Sequence, residues 1–182
     1  DLRMSRGLGD VYKRQNLYRA MEQLSHKNYK QVVKSVETSK EWPENLGVGK
    51  PYDNMIDNRL EDYLEAKAAA GQGDSRKTSA LLAAVADYTI SRSHFESGNL
   101  LSALALRESG KVQEADHMVA AWSTDFPENR VVQWCTAIYR GEKEKAVGML
   151  QSRNDQTNTT PWEASFRDSN FDLIVRLFST EQ

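Results

Sequence analysis

The stretch Gly110-Lys111-Val112-Gln113-Glu114-Ala115, continued by Val119 and Trp122 and closed by Pro127-Glu128-Asn129, decides the fold. A glycine just past a helix end takes the left-handed conformation that stops the helix. Ala115 follows the glycine by five residues and is small enough to let two helices approach. A large apolar residue, Val119, follows by nine, and Pro127 follows by seventeen, where it opens the next hairpin. In front of the glycine, Leu100-Leu101-Ser102-Ala103-Leu104-Ala105-Leu106 supplies a first helix, with Ala103 at the close-contact position. The stretch therefore reads as helix, glycine turn, helix.

The same frame recurs on both sides. Gly141 is followed by Ala146 and Leu150 at the same offsets and preceded by Trp134 and Ala137. Gly73 is followed by Thr78 and Leu82 and preceded by Ala66 and Ala69. Lys27 stands where the first turn glycine would be, with Tyr29, Val32 and Val36 after it. The turn positions are separated by 46, 37 and 31 residues, a degenerate repeat with insertions in the first two intervals. The frame predicts paired helices over 16–26 and 28–41, 54–70 and 74–89, 97–109 and 111–125, and 128–140 and 142–152. Valines at helical spacing (Val32, Val33, Val36) and the absence of period-2 alternation argue against strands.

Composition agrees with a folded helical chain. Of 182 residues, 39% are hydrophobic and 27% charged, with only four prolines. The net charge of -2 leaves no basic footprint for nucleic acid. No apolar run approaches the ~18 residues of a membrane span. A single cysteine, Cys135, excludes an internal disulfide.

This frame resembles the tetratricopeptide repeat, over roughly 16–152. The resemblance implies an all-α, right-handed array of about four degenerate hairpins whose first helices line a concave face, with a capping helix at the C-terminal end. The cap is expected in 153–182, where Ser169-Asn170-Phe171 starts a helix with Phe171, Ile174, Val175 and Phe178 on its apolar face. A narrower resemblance lies in Trp42-Pro43-Glu44-Asn45-Leu46-Gly47-Val48-Gly49-Lys50-Pro51-Tyr52-Asp53. It is similar to the connector in C-terminal repeat tails of uncharacterised gut-bacterial proteins that carry an upstream β-sandwich, carbohydrate-processing-like domain. Gly9-Asp10-Val11-Tyr12-Lys13-Arg14-Gln15 resembles read-through adaptor sequence, so 1–15 is expected to be a non-native or disordered leader.

Candidate chemistry is sparse. Gly47-Val48-Gly49-Lys50 lacks the residue count between its glycines, the hydroxyl after Lys50 and the preceding strand that a phosphate loop needs. His26, His94 and His117 have no metal-ligand spacing. Cys135, beside Trp134 and Ile138, reads as core, as do Trp42, Trp122, Trp134 and Trp162. Neither a cofactor nor a metal is expected, and no acid/base pair converges. The expected function is a module for protein–protein or interdomain contact with no catalysis of its own. The alternative is the tail of a carbohydrate-active enzyme, buttressing a catalytic β-sandwich. Partner-binding candidates are Asn45, Lys50, Tyr52 and Asp53 in the connector, and Arg59, Tyr63, Lys67, Arg107, Glu108 and Tyr139 on first helices. The expected partner is another protein or an upstream domain of the same polypeptide. The compartment stays open.

Overall fold

A computed structural model describes residues 2–41, 56–90, 94–154, 168 and 170–179. Among them are nine helices and no strand. In order they are α1 (Leu2–Ser25), α2 (Tyr29–Lys40), α3 (Arg59–Gly71), α4 (Ser75–Ile90), α5 (Gly98–Glu108), α6 (Val112–Asp125), α7 (Arg130–Arg140), α8 (Lys143–Asn154) and α9 (Phe171–Ser179). Consecutive helices pair as four antiparallel hairpins, and first helices also stack on first helices, α1 on α3, α3 on α5 and α5 on α7. The predicted boundaries of α2 through α8 agree with these within one or two residues, except that α3 begins at Arg59 and not at 54.

The turns show why the frame works. Lys27, Gly73, Gly110 and Gly141 all have positive φ, at 59°, 78°, 81° and 75°. After each, the next amide N–H reaches back to a carbonyl five residues earlier. Asn28 donates to Gln23 at 2.8 Å, and Asp74 to Ala69, Lys111 to Leu106 and Glu142 to Ala137, each at 2.9 Å. This is one C-terminal capping motif used four times, with three glycines and one lysine in the left-handed position. The residues five and nine beyond the turn then face inward. Val32, Ala115 and Ala146 are buried at the first offset, and Val36, Leu82 and Val119 at the second. Seven residues before each turn, Ala20, Ala66 and Ala103 are all but fully buried, which permits close stacking of first helices. In the last hairpin Trp134 takes that place.

The two ends of the described chain add to this frame. Residues 2–15, read as a non-native or disordered leader, form the first part of α1. Lys13 there pairs at 2.6 Å with Glu61 of α3, whose side chain is only 2% exposed. The terminal helix α9 does cap the array, but from inside and not by stacking on the last hairpin. It packs against α1, and Phe171 meets Trp134 of α7 edge to face, with ring centroids 5.4 Å apart. The Asp168 carboxylate accepts the Ser97 backbone N–H at 2.6 Å, at the start of α5, and the Asn170 N–H at 3.2 Å. Phe178, at the other end of α9, lies near Arg107 and Glu108 at the close of α5. So α9 runs along the face formed by the first helices.

Its burial confirms that placement. Phe171, Leu173, Ile174 and Leu177 are all 3% exposed or less, and Val175 and Phe178 are half-buried. At 100° per residue these positions cover an arc of about 200°, wider than the stripe needed to sit on a flat surface. Only Asp172, Arg176 and Ser179 face outward.

Candidate functional site

Four of the candidates, Asn45, Lys50, Tyr52 and Asp53, lie outside the described residues. The other six are placed, and they separate into a cage and a cluster.

Arg59, expected at a docking surface, is 3% exposed and spent inside the molecule. It stands at the first position of α3, pointing toward the start of α5. Its Nε and one terminal nitrogen donate to the two carboxylate oxygens of Asp57, at 3.0 and 2.8 Å. The other terminal nitrogen donates to Thr89 at 2.8 Å and Asn99 at 2.6 Å, and Glu96 completes the set at 2.8 Å. The guanidinium also lies 4.6 Å from the ring centroid of Tyr88. A planar, five-donor group satisfied on all sides can be buried where an unpaired charge could not. Gly98 makes room for it, since a Cβ there would sit 2.6 Å from the guanidinium carbon. Arg59 is thus a staple joining α3, α4 and α5.

The remaining five form one polar cluster on the first-helix face. Tyr63 is buried, and its hydroxyl donates to Glu108 at 2.7 Å. Lys67 donates to the same oxygen at 2.7 Å, tying α3 to α5. Arg107 donates to the Tyr139 carbonyl at 2.8 Å and stacks 4.7 Å from its ring centroid, tying α5 to α7. The Tyr139 hydroxyl donates to Asp116 of α6 at 2.7 Å. Burial and the hydrogen bond to the Asp116 carboxylate push the Tyr139 phenol up to about 12.

A second ionic ladder, not anticipated, crosses α2, α3 and α4. Lys40 pairs with Asp62 at 2.7 Å and Glu65 at 3.2 Å, and Lys77 pairs with Glu65 at 2.8 Å. Burial works against the Glu65 carboxylate, but the two lysines outweigh it and hold it below the usual range. Glu61 goes the other way. Its burial pushes the carboxyl up despite Lys13. The Cys135 thiol, fully buried, is raised well above its ordinary value by desolvation and by the Asp168 charge. It is the core residue its neighbours predicted.

Beside the cluster a cavity of about 250 Å³ opens between α3, α5, α7, α8 and the end of α9. Its polar side is Tyr63, Lys67, Arg107, Glu108 and Lys143, and its apolar side includes Leu104, Trp134, Ile138, Leu150 and Phe178. Among the described residues no three His, Cys, Asp or Glu side chains gather in a metal-binding group. No described helix is long and apolar enough to cross a membrane.

The residues that sequence reasoning missed are Asp57, Thr89, Glu96 and Asn99 around Arg59, and Asp168 at the foot of α9. Leu173 and Leu177 carried a readable signal, because they widen the apolar arc of α9 beyond one stripe. No protein-family model, curated protein or solved structure matches this chain.

Proposed function

We propose that the chain is a tetratricopeptide-like helical-repeat module for protein–protein or interdomain contact, with no catalysis of its own. One observation carries the reading: the first-helix face already holds an amphipathic helix, α9, inserted over about 200° of its circumference. A face that receives one helix through apolar side chains, with the Asp168 carboxylate anchoring its start, can receive another of the same pattern. In this reading α9 is the resident occupant, and a partner helix exchanges with it. Lys40, Arg59, Lys67, Lys77 and Arg107 each bond a group on another helix or segment, which supports a contact role over a reactive one.

The test uses the full chain. The double variant Leu173→Asp, Leu177→Asp introduces two carboxylates at buried α9 positions, and each costs several kcal/mol if α9 stays docked. Circular dichroism should show α1–α8 still helical, and Cys135 should react with thiol reagents far faster than in the parent. A fluorescent peptide of residues 168–180 should bind the variant saturably and the parent hardly at all. A helical variant with a reactive Cys135 and no peptide binding would remove the basis of the reading.

A further inference from the structure

The cavity beside α9 has a lining that helix recognition leaves unused. Its charged side holds three cations, Lys67, Arg107 and Lys143, against one carboxylate, Glu108. That carboxylate is already shared between Tyr63 and Lys67. Among the described residues Lys143 has no carboxylate within ion-pair distance. Arg107 gives a terminal N–H to the Tyr139 carbonyl and, with five N–H donors in all, retains others. Lys143 also opens α8, so the positive end of that helix lies at the same rim. The cavity's excess charge is positive.

The rest of the lining is largely apolar. Leu104, Trp134, Ile138, Leu150 and Phe178 belong to it. Trp134 is 1% exposed, and its indole N–H is buried with no acceptor among the described residues. A buried donor left without an acceptor calls for a physical reason. Size narrows the ligand further. A cavity of about 150 Å³ holds benzene in another protein, so about 250 Å³ holds roughly ten non-hydrogen atoms.

We propose that this cavity binds a small amphipathic carboxylate, an alkyl or aryl acid of about that size. Its apolar body packs on Trp134, Leu104 and Leu150, and its carboxylate sits between Arg107 and Lys143. Apolar contact provides affinity and the paired cations provide discrimination, because a carboxylate gains charge-assisted hydrogen bonds that an alcohol of equal length does not. Phe178 and Ser179 of α9 line the same cavity. A bound acid therefore touches α9 only in its docked position and stabilises that docking by linkage. The proposal goes beyond helix recognition and does not need it, since it concerns the chain with α9 in place.

The experiment titrates the full parent chain with octanoate, 1-octanol and octylammonium, by calorimetry and by the indole N–H resonances in proton–nitrogen NMR. Octanoate should bind one-to-one and shift the Trp134 indole signal, assigned from Trp134→Phe. Octanol should bind ten- to a hundredfold more weakly and octylammonium not measurably, the range one charge-assisted contact supplies. Lys143 is exposed, so Lys143→Gln should keep the fold. It should bring octanoate down toward octanol while leaving octanol unchanged. Leu150→Trp, filling the cavity, should abolish both. Equal binding of octanoate and octanol, binding indifferent to Lys143→Gln, or no saturable binding of octanoate to the folded chain would each overturn the proposal.

Discussion

Replacing Lys27 with glycine should stabilise this protein, although it deletes a whole charged side chain. Lys27 holds the left-handed position of the first turn at φ 59°, where the other three hairpins use glycine. An L-residue in that region carries a cost of about 1–2 kcal/mol. Glycine removes it but brings greater freedom to the unfolded chain, which costs about 0.4–1 kcal/mol. The difference leaves a net gain of about 0.5–1 kcal/mol. In a chain of this length that raises the melting temperature by about 1–4 °C. The reverse substitution closes the argument. At Gly110 a Cβ would meet nothing within 4 Å, so only the backbone can object to it. Gly110→Ala should therefore destabilise by about the same amount, with no steric component. Urea titration measures both, with the slope m unchanged from the parent as the check that the unfolding reaction is the same. If Lys27→Gly destabilises, or if Gly110→Ala is neutral, the four turns are not one motif and the repeat frame loses its physical basis.

Two further outcomes follow from the side-chain networks. Arg59→Met should cost about 3–5 kcal/mol in urea titration, because Asp57 and Glu96 lose their shared cation and Thr89 and Asn99 their donor; Arg59→Lys should recover little of it, since an ammonium cannot span the same fork. The Tyr139 phenol, raised to about 12 from 10.0, binds its proton more tightly folded than unfolded, so its contribution to stability is complete below pH 10 and is lost as pH rises toward 12; ultraviolet difference titration should show one tyrosine ionising late, and Tyr139→Phe should remove that late step and flatten the alkaline loss of stability.

The hairpins were legible because their determinants are local. Gly110 with Ala115, or Gly141 with Ala146, states a turn and its packing within six residues, and the same statement can be searched for elsewhere in the chain. It located even Lys27, where the residue type gave no hint. The Arg59 cage could not be read in this way. Its partners come from three segments, at Asp57, at Thr89 and at Glu96 with Asn99, and nothing in those segments alone indicates that they meet. Arg59 was expected at a docking surface as a cation on a first helix, close after the connector. Cys135, by contrast, was legible as core from its apolar neighbours Trp134 and Ile138. Tyr63, Lys67, Arg107, Glu108 and Tyr139 were expected on first helices and do meet there, but as partners of one another. The position of α9 was half legible. Phe171 and Ile174 marked an apolar face, whereas the burial of Leu173 and Leu177 on its flank depends on a groove that only the assembled first helices create.

Because α9 touches both α1 and α7, the array is fastened from its first hairpin to its fourth by a helix that is translated after all of them. A linear stack of repeats can fold hairpin by hairpin as it emerges. Here the hairpins emerge with Trp134, later met by Phe171 of α9, turned toward a face that has no lining yet. At ~5–20 residues per second, the wait from the end of α7 to the end of α9 is a matter of seconds. For that interval the nascent chain displays an open apolar trough, and its protection depends on whatever binds such troughs in the cell. A substitution that weakens α9 would prolong this newborn state as well as destabilise the finished fold, so its effect on yield should exceed its effect on melting temperature.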